Sequence, residues 1–245
     1  MRLLGIDTGG SSLKAAPVDV TSGVLAADVV SFPTPAPATP AAIAGVVKQI
    51  GAAFPDVSGN VGFAFPSVVT GGIARTAANV DKAWIGTDGA RLVREAMGRP
   101  AAFLNDADAA GLAEVRVGAG RGQDGTVIML TFGTGIGSAI FHDGHLVPNT
   151  EFGHMEIRGM EAEHRASARV RALEQLSWQV WSERVNEVLA RMHALFWPEL
   201  FILGGGVVEN WASFGPLLES PARIVPAELG NTAGIVGAAL AASEL

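Results

Sequence analysis

A chain of 245 residues, 49% of them hydrophobic and 17% charged, carries enough apolar side chain for one large domain or two small ones, which excludes a disordered protein. A net charge of −7, with Lys14, Lys48 and Lys82 as the only lysines, leaves no basic stripe for nucleic acid. The absence of cysteine excludes disulfides and thiolate zinc sites, and no apolar run reaches the roughly 20 residues that span a bilayer.

Residues 2–7, RLLGID, read as a strand, and Asp7 interrupts their apolar run too early for a signal peptide. The expected protein is therefore soluble and cytoplasmic, with no nucleic-acid or membrane partner. A second apolar stretch runs from Leu13 to Val20. Between them, Thr8-Gly9-Gly10-Ser11-Ser12 forms either a plain tight hairpin or a phosphate site. In the second reading the glycines let backbone N–H groups approach a phosphate, Ser11 and Ser12 add hydroxyls, and Lys14 adds a cation. Asp7 then stands where it can hold a metal-bound water beside the phosphates. No GxxxxGK[ST] loop is present.

Residues 24–32 read as a third strand, and the Pro-rich stretch 33–40 as extended chain. Thr39 and Pro40 open a helix that ends before Pro55. VGFAF, 61–65, is a short strand turned by Pro66-Ser67. Asn79 and Trp84 follow in a loop, either as turn and packing residues or as side chains that reach a site. Residues 87–97 read as a helix capped by Thr87 or Asp88.

The stretch FLNDADAAG, 103–111, is the one the rest of the chain supports. An apolar strand ends in Asn105-Asp106 and a helix follows to about Val117. That places Asp106 near a helix N-terminus, where negative charge is favoured. Asp106 is the candidate general base; the alternative is that Asn105 and Asp106 only cap the helix.

TVIMLTF, 126–132, is a clear strand and ends in Gly133-Thr134-Gly135-Ile136-Gly137. The strand SAIFHDG follows and closes in an Asp143-Gly144 hairpin signal. Segments 4–18 and 128–147 thus share one plan, strand, glycine turn, strand, with one phosphate turn per half. Glu151, His154, Glu156, Glu161 and Glu163 then crowd a short loop, which is either a sugar-hydroxyl site or a solvated acidic surface. Residues 166–196 read as one long helical region, with Trp178 and Trp181 spaced for a core or subunit contact. Leu200 to Leu203 is a buried strand, and Gly204-Gly205-Gly206 exposes backbone for a nucleotide or phosphate. The tail, IVGAALAA, is a tightly packing helix of small residues. Strands alternating with helices predict an α/β fold.

GIDTGGSSLK, LNDADAAG, LTFGTGIGSAIF, NTEFGHMEI, LFILGGGV and NTAGIVGAAL together resemble the ROK family of sugar kinases, in the actin-like ATPase/hexokinase-type (ribonuclease H-like) superfamily. TAANVDKAWIGTD, LVPNTEFGHMEIRG, AEHRAS and VPAEL resemble its polyphosphate-using glucokinase branch. The resemblance implies two α/β lobes with the active site in the cleft between them: residues 1–107, with helix 232–244 packing back, and residues 108–231. It implies phosphoryl transfer from polyphosphate, ATP or both to the 6-hydroxyl of glucose, with Mg²⁺ accompanying the donor. It also implies a homodimer, for which Trp178, Trp181 and Trp197 are contact candidates.

By the same resemblance Asp106 is the catalytic base, and Asn79, Asn105, Glu151, His154 and Glu163 bind sugar. Asp7, Gly9, Gly10, Ser11, Ser12 and Lys14 form the first phosphate motif. Thr131, Gly133, Thr134, Gly135 and Gly137 form the second, and Gly204, Gly205 and Gly206 the nucleotide-side turn. No zinc is expected, because the cysteine-rich motif of many ROK members is absent, and no residue is assigned as a metal ligand. Three departures stand out. VVEN follows the triple glycine where the branch carries lysines, leaving Arg75, Arg116 and Arg121 to meet a polyanion; Ser67 and Thr8 replace a usual Gly and Ile. Two alternatives remain: an ATP-dependent kinase for mannose or another hexose, and a catalytically silent sugar sensor. The first strand, beginning at Arg2, leaves no room for the DNA-binding helix-turn-helix of ROK repressors.

Overall fold

A computed structural model describes residues 1–78 and 80–245 of the chain. They form two compact units, Met1–Ala113 with Thr232–Leu245, and Glu114–Asn231.

In the first unit β1 (Arg2–Thr8) pairs antiparallel with β2 (Ser12–Asp19). Two short strands, β3 (Val24–Leu25) and β4 (Val30–Pro33), both pair with β2, so the single strand expected over 24–32 is divided. Pro17 lies in β2 opposite the break and has no N–H to continue the ladder. Helix α1 (Pro40–Ala53) begins as its sequence predicts, with the Thr39 side chain accepting from the Ala42 N–H at 3.2 Å. Strand β5 (Val61–Phe65) lies parallel to β1, and a small hairpin of β6 (Val69–Thr70) and β7 (Ile73–Ala74) follows. Of the two candidate caps for α2 (Gly89–Met97), Asp88 is the one used, accepting from the Arg91 N–H at 2.8 Å. Strand β8 (Ala101–Asn105) extends the sheet parallel to β5 and leads straight into α3 (Asp106–Val117). The sheet order is β3-β2-β1-β5-β8.

Trp84 is fully buried, with its ring centroid 4.2 Å from that of Phe65 and its Nε1 donating to the Ala38 carbonyl. It is a packing residue, and burial of a side chain of this size contributes about 1.5–3 kcal/mol. The C-terminal helix Ala233–Ala242 is buried on nearly every residue and packs on β1 and β5. Its small residues let backbones meet. A Cβ on Gly62 would fall 1.7 Å from the Ala238 carbonyl oxygen, and one on Gly5 1.9 Å from that of Ile235.

The second unit repeats the plan. Strands β9 (Thr126–Phe132), β10 (Ile136–His142) and β11 (His145–Val147) form an antiparallel meander, turned at Asp143-Gly144 with both residues at positive φ. A short hairpin, β12 (Glu156–Ile157) and β13 (Met160–Glu161), leads to α4 (Ala162–Ala166), α5 (Ala168–Leu173) and α6 (Trp178–Phe196). The single helical region expected over 166–196 is therefore broken. Ser167 and Ser177 sit in extended conformation and cap the next helix, each accepting an N–H three residues on. Strand β14 (Leu200–Gly204) runs parallel to β9, α7 (Trp211–Phe214) follows, and β15 (Arg223–Pro226), not foreseen from the sequence, closes the edge. The order β11-β10-β9-β14-β15 matches the first sheet in strand direction, so the repeated sequence plan is a repeated sheet plan.

Trp181 is fully buried against Phe132 and Phe214, which removes it from the candidates for a subunit contact, whereas Trp197 is 73% exposed. Among the described residues no helix is long and apolar enough to cross a membrane.

Candidate active site

The C-terminal ends of parallel strands gather the polar residues of the first unit, as open α/β sheets generally do. Asp7 ends β1 and stands directly opposite Lys14 in the β1–β2 register. The turn between them is closed by the Gly9 N–H donating to the Ser12 carbonyl at 2.9 Å. Thr34 braces it from the Pro-rich segment, its hydroxyl donating to the Gly9 carbonyl and its N–H to that of Ser11. Gly9, Gly10 and Ser11 are exposed, with Ser12 half-buried.

Asn105 resolves the question of the cap. Its Oδ1 accepts the N–H groups of Ala107 and Asp108 at 2.8 and 3.0 Å, and its Nδ2 donates to the Ser67 carbonyl. Asn105 caps α3. Asp106, relieved of that task, is the first helical residue; its Oδ1 accepts the Ala107 N–H at 2.9 Å. Burial pushes the Asp106 pKa up, against the pull of the Ala107 N–H and its own. Asp7 is raised to about 6, first by burial and then by the charge of Asp106, with Lys14 pulling the other way. Two carboxylates and one ammonium therefore share a desolvated corner.

Ser67, a departure in sequence, has a clear task. It is buried, its hydroxyl reaches the carbonyls of Val68 and Thr76, and it ties the β6–β7 segment to the strand that Asn105 braces. The Thr8 hydroxyl is buried with no hydrogen-bond partner among the described residues, and nothing explains the change. Asn79 lies outside the described residues.

In the second unit the turn Gly133–Gly135 joins β9 to β10, with the Gly133 N–H on the Gly135 carbonyl; Thr131 and Gly137 face each other across the strands. Thr134 is exposed. Gly204 ends β14 beside Thr131, and Gly205, at φ 87°, packs where a Cβ would strike the Phe132 carbonyl at 2.3 Å. Gly206 opens a 3₁₀ turn to Asn210. Both glycine turns thus lie at one end of one sheet.

Glu151 precedes the 3₁₀ turn Phe152–His154 and is exposed. His154 Nδ1 lies 3.1 Å from Glu161 Oε2; that hydrogen bond leads the causes that raise its pKa. Glu163 Oε2 lies over the glycine turn and accepts the Ile136 N–H at 3.4 Å. Ligand atoms of His154, Glu161 and Glu163 lie within 4.8 Å of one another, two carboxylates that accept hydrogen bonds and an imidazole whose Nδ1 donates to Glu161.

Two contributors, Ser138 and Gly234, were not legible beforehand. Ser138 is buried, accepts the Phe152 N–H and donates to the Thr150 carbonyl, fixing the segment around Glu151. Glu161 orients His154. Gly234 admits the Asp7 carboxylate, since a Cβ there would lie 2.6 Å from its carbon. Glu161 was already in the carboxylate cluster read from the sequence, whereas Ser138 and Gly234 carried no signal there.

Two sheets of one plan, each with a glycine turn at the same end, define the two-lobed fold of actin-like ATPases. The chain belongs to the ROK family, whose model matches residues 3–168. It is 49% identical over 238 residues to the polyphosphate glucokinase of Mycobacterium tuberculosis (strain CDC 1551 / Oshkosh), covering 97% of this chain and 89% of that one. Its structure superposes with a TM-score of 0.93 on the inorganic polyphosphate/ATP-glucomannokinase of Arthrobacter sp. strain KM, at 45% identity, covering 99% and 98% of the two chains. A ROK glucokinase of Streptomyces griseus, in complex with glucose and AMPPNP, superposes at 0.81 with 27% identity over the whole of both chains.

The raised Asp7 pKa has a measurable consequence. A carboxyl whose folded pKa exceeds its unfolded value of 3.8 costs no stability below that value, and an amount that grows as pH rises towards about 6 and levels off above it. Asp7→Asn therefore raises the metal-free Tm at pH 7.5, and the gain shrinks towards pH 4. If about 1 kcal/mol of the penalty survives solvent screening, the gain is about 2–4 °C for a chain of this size. Calorimetry in EDTA checks this; an equal gain at both pH values refutes it.

Proposed function

We propose that this protein is a glucokinase that moves the terminal phosphoryl group of polyphosphate or ATP onto the 6-hydroxyl of glucose. The observation that carries it is the Asp106 carboxylate, held by α3, desolvated, and set beside Asp7 and Lys14. The relatives at 45–49% identity, a polyphosphate glucokinase and a polyphosphate/ATP-glucomannokinase, support the same reading.

In this reading Asp106 Oδ2 accepts the proton of the 6-hydroxyl as that oxygen bonds to phosphorus and the bridging P–O bond breaks. The pKa raised by burial makes Asp106 a better proton acceptor than an ordinary carboxylate. Lys14 and the N–H groups of the two glycine turns hold the donor's charge. Asn105, Glu151, His154 and Glu163 accept and donate hydrogen bonds to the sugar hydroxyls, and the same role falls to Asn79. Asp7, an oxygen donor whose charge is disfavoured by burial, suits a hard divalent cation such as Mg²⁺. When bound with the donor, that ion neutralises charge on the transferring group.

Polyphosphate is the donor we place first, on the identity to a polyphosphate enzyme; mannose is a second acceptor, on the glucomannokinase likeness. The chain acts as a homodimer in which exposed Trp197 and half-buried Trp178 remain the candidate contacts.

The test is glucose 6-phosphate formation with Mg²⁺, polyphosphate and ATP run in parallel, on protein whose mass is read by light scattering. Turnover on polyphosphate is expected, from a dimer. Turnover on ATP alone refutes the donor assignment, and a monomer at micromolar concentration refutes the dimer. No turnover with either donor refutes the glucokinase reading.

A further inference from the structure

Gly135 lies in a turn whose sequence reads as a phosphate site, yet the atoms above it belong to Glu163. A Cβ on Gly135 would fall 2.3 Å from Glu163 Oε2, and one on Gly153 would fall 3.1 Å from the same oxygen. The Ile136 N–H donates to that oxygen as well, at 3.4 Å. Groups from the turn after β9 and from the segment Glu151–His154 thus converge on one carboxylate oxygen. The other oxygen, Oε1, faces His164 Nε2 more loosely, at 3.8 Å.

We propose that Gly135 is a positioning residue for the sugar rather than for the phosphoryl donor: its missing side chain is the seat of the Glu163 carboxylate. The proposal rests on the reading of Glu163 as an acceptor of sugar hydroxyls. With Oε2 held by the turn, Oε1 is presented to a hydroxyl in one orientation, and carboxylate oxygens only accept. Gly135 is outside the left-handed region, so alanine suits its backbone. The obstructing atom is the end of a flexible side chain, so the fold tolerates the methyl and Glu163 moves instead. A displacement of about 1 Å at a binding group costs up to roughly 10²-fold. Gly133, in the same turn, has nothing within 4 Å of its Cβ position and provides the contrast.

The experiment uses the full chain as wild type, G133A, G135A, E163A and the double variant G135A/E163A. KM is measured for glucose and for the donor, and Tm is measured without ligand. G135A is expected to raise the glucose KM by about 10–100-fold while the donor KM stays within about twofold. G133A shows the reverse split. In the E163A background G135A adds nothing to the glucose KM, because the atom it would displace is gone. A donor KM that rises as much as the glucose KM in G135A, or additive effects in the double variant, overturns the proposal. Failure of the wild type to phosphorylate glucose overturns the sugar reading instead. The ligand-free Tm cycle then decides the seat: non-additive shifts sustain it and additive shifts overturn it.

Discussion

Asp106→Asn lowers kcat by about 10²–10⁴-fold, the usual contribution of a positioned general base, and leaves the glucose Kd within about threefold. The amide keeps the shape of the carboxylate and can still meet the Ala107 N–H that Oδ1 accepts at 2.9 Å. The Asn105 cap is untouched, so α3 still begins at the same residue. What is lost is the ability to take a proton. The wild-type kcat/KM should fall on the acid side through a pKa above the usual carboxylate range, because burial raises that of Asp106 and lowering the pH protonates the base. Asp7 titrates nearby at about 6, so the limb belongs to the pair. Steady-state kinetics with a sugar-binding isotherm check this; retention of a tenth of wild-type turnover sinks the assignment of the base.

Gly62→Ala has the largest effect on stability. A methyl there would lie 1.7 Å from the Ala238 carbonyl oxygen and 2.1 Å from its carbon, both backbone atoms of a buried helix. Unlike the Glu163 carboxylate over Gly135, these atoms cannot turn aside; the helix must leave β5. The same helix closes on α3, where a Cβ on Gly237 would meet the Ala109 carbonyl at 1.7 Å, so it has no slack on its other side. Overpacking of this kind costs about 3 kcal/mol or more, which lowers Tm by roughly 6–12 °C. Activity falls with it, since Gly234 at the start of the helix borders Asp7. A thermal melt within 2 °C of wild type, on the scale of about 1 kcal/mol or less, would show that the close contact is absent.

Much of the local structure was legible because its causes are local. Thr39-Pro40 starts a helix by capping and by a fixed φ; Asp143-Gly144 turns a hairpin because both residues tolerate positive φ. The strand 126–132 was legible from its unbroken apolar run. Errors arose where a short-range hydrogen bond competed with periodicity. Ser167 and Ser177 sit in a stretch of helical pattern, yet each hydroxyl takes a backbone N–H and divides it. Strand β15 was missed because RIVP is short and gains its ladder only beside β14.

By itself the sequence determined the α/β class, the two glycine turns, the Asn-Asp pair at a strand–helix junction and the crowd of acceptors at 151–163, all properties of residue type and spacing. The tertiary structure alone decided which of the pair caps the helix, since that depends on the Asn105 amide reaching the Ser67 carbonyl. It also placed Trp181 in a core and Trp197 at the surface, and set Glu163 on Gly135. These are contacts between residues far apart in the chain, fixed by burial and by the room a missing Cβ leaves, and no periodicity along the chain encodes them.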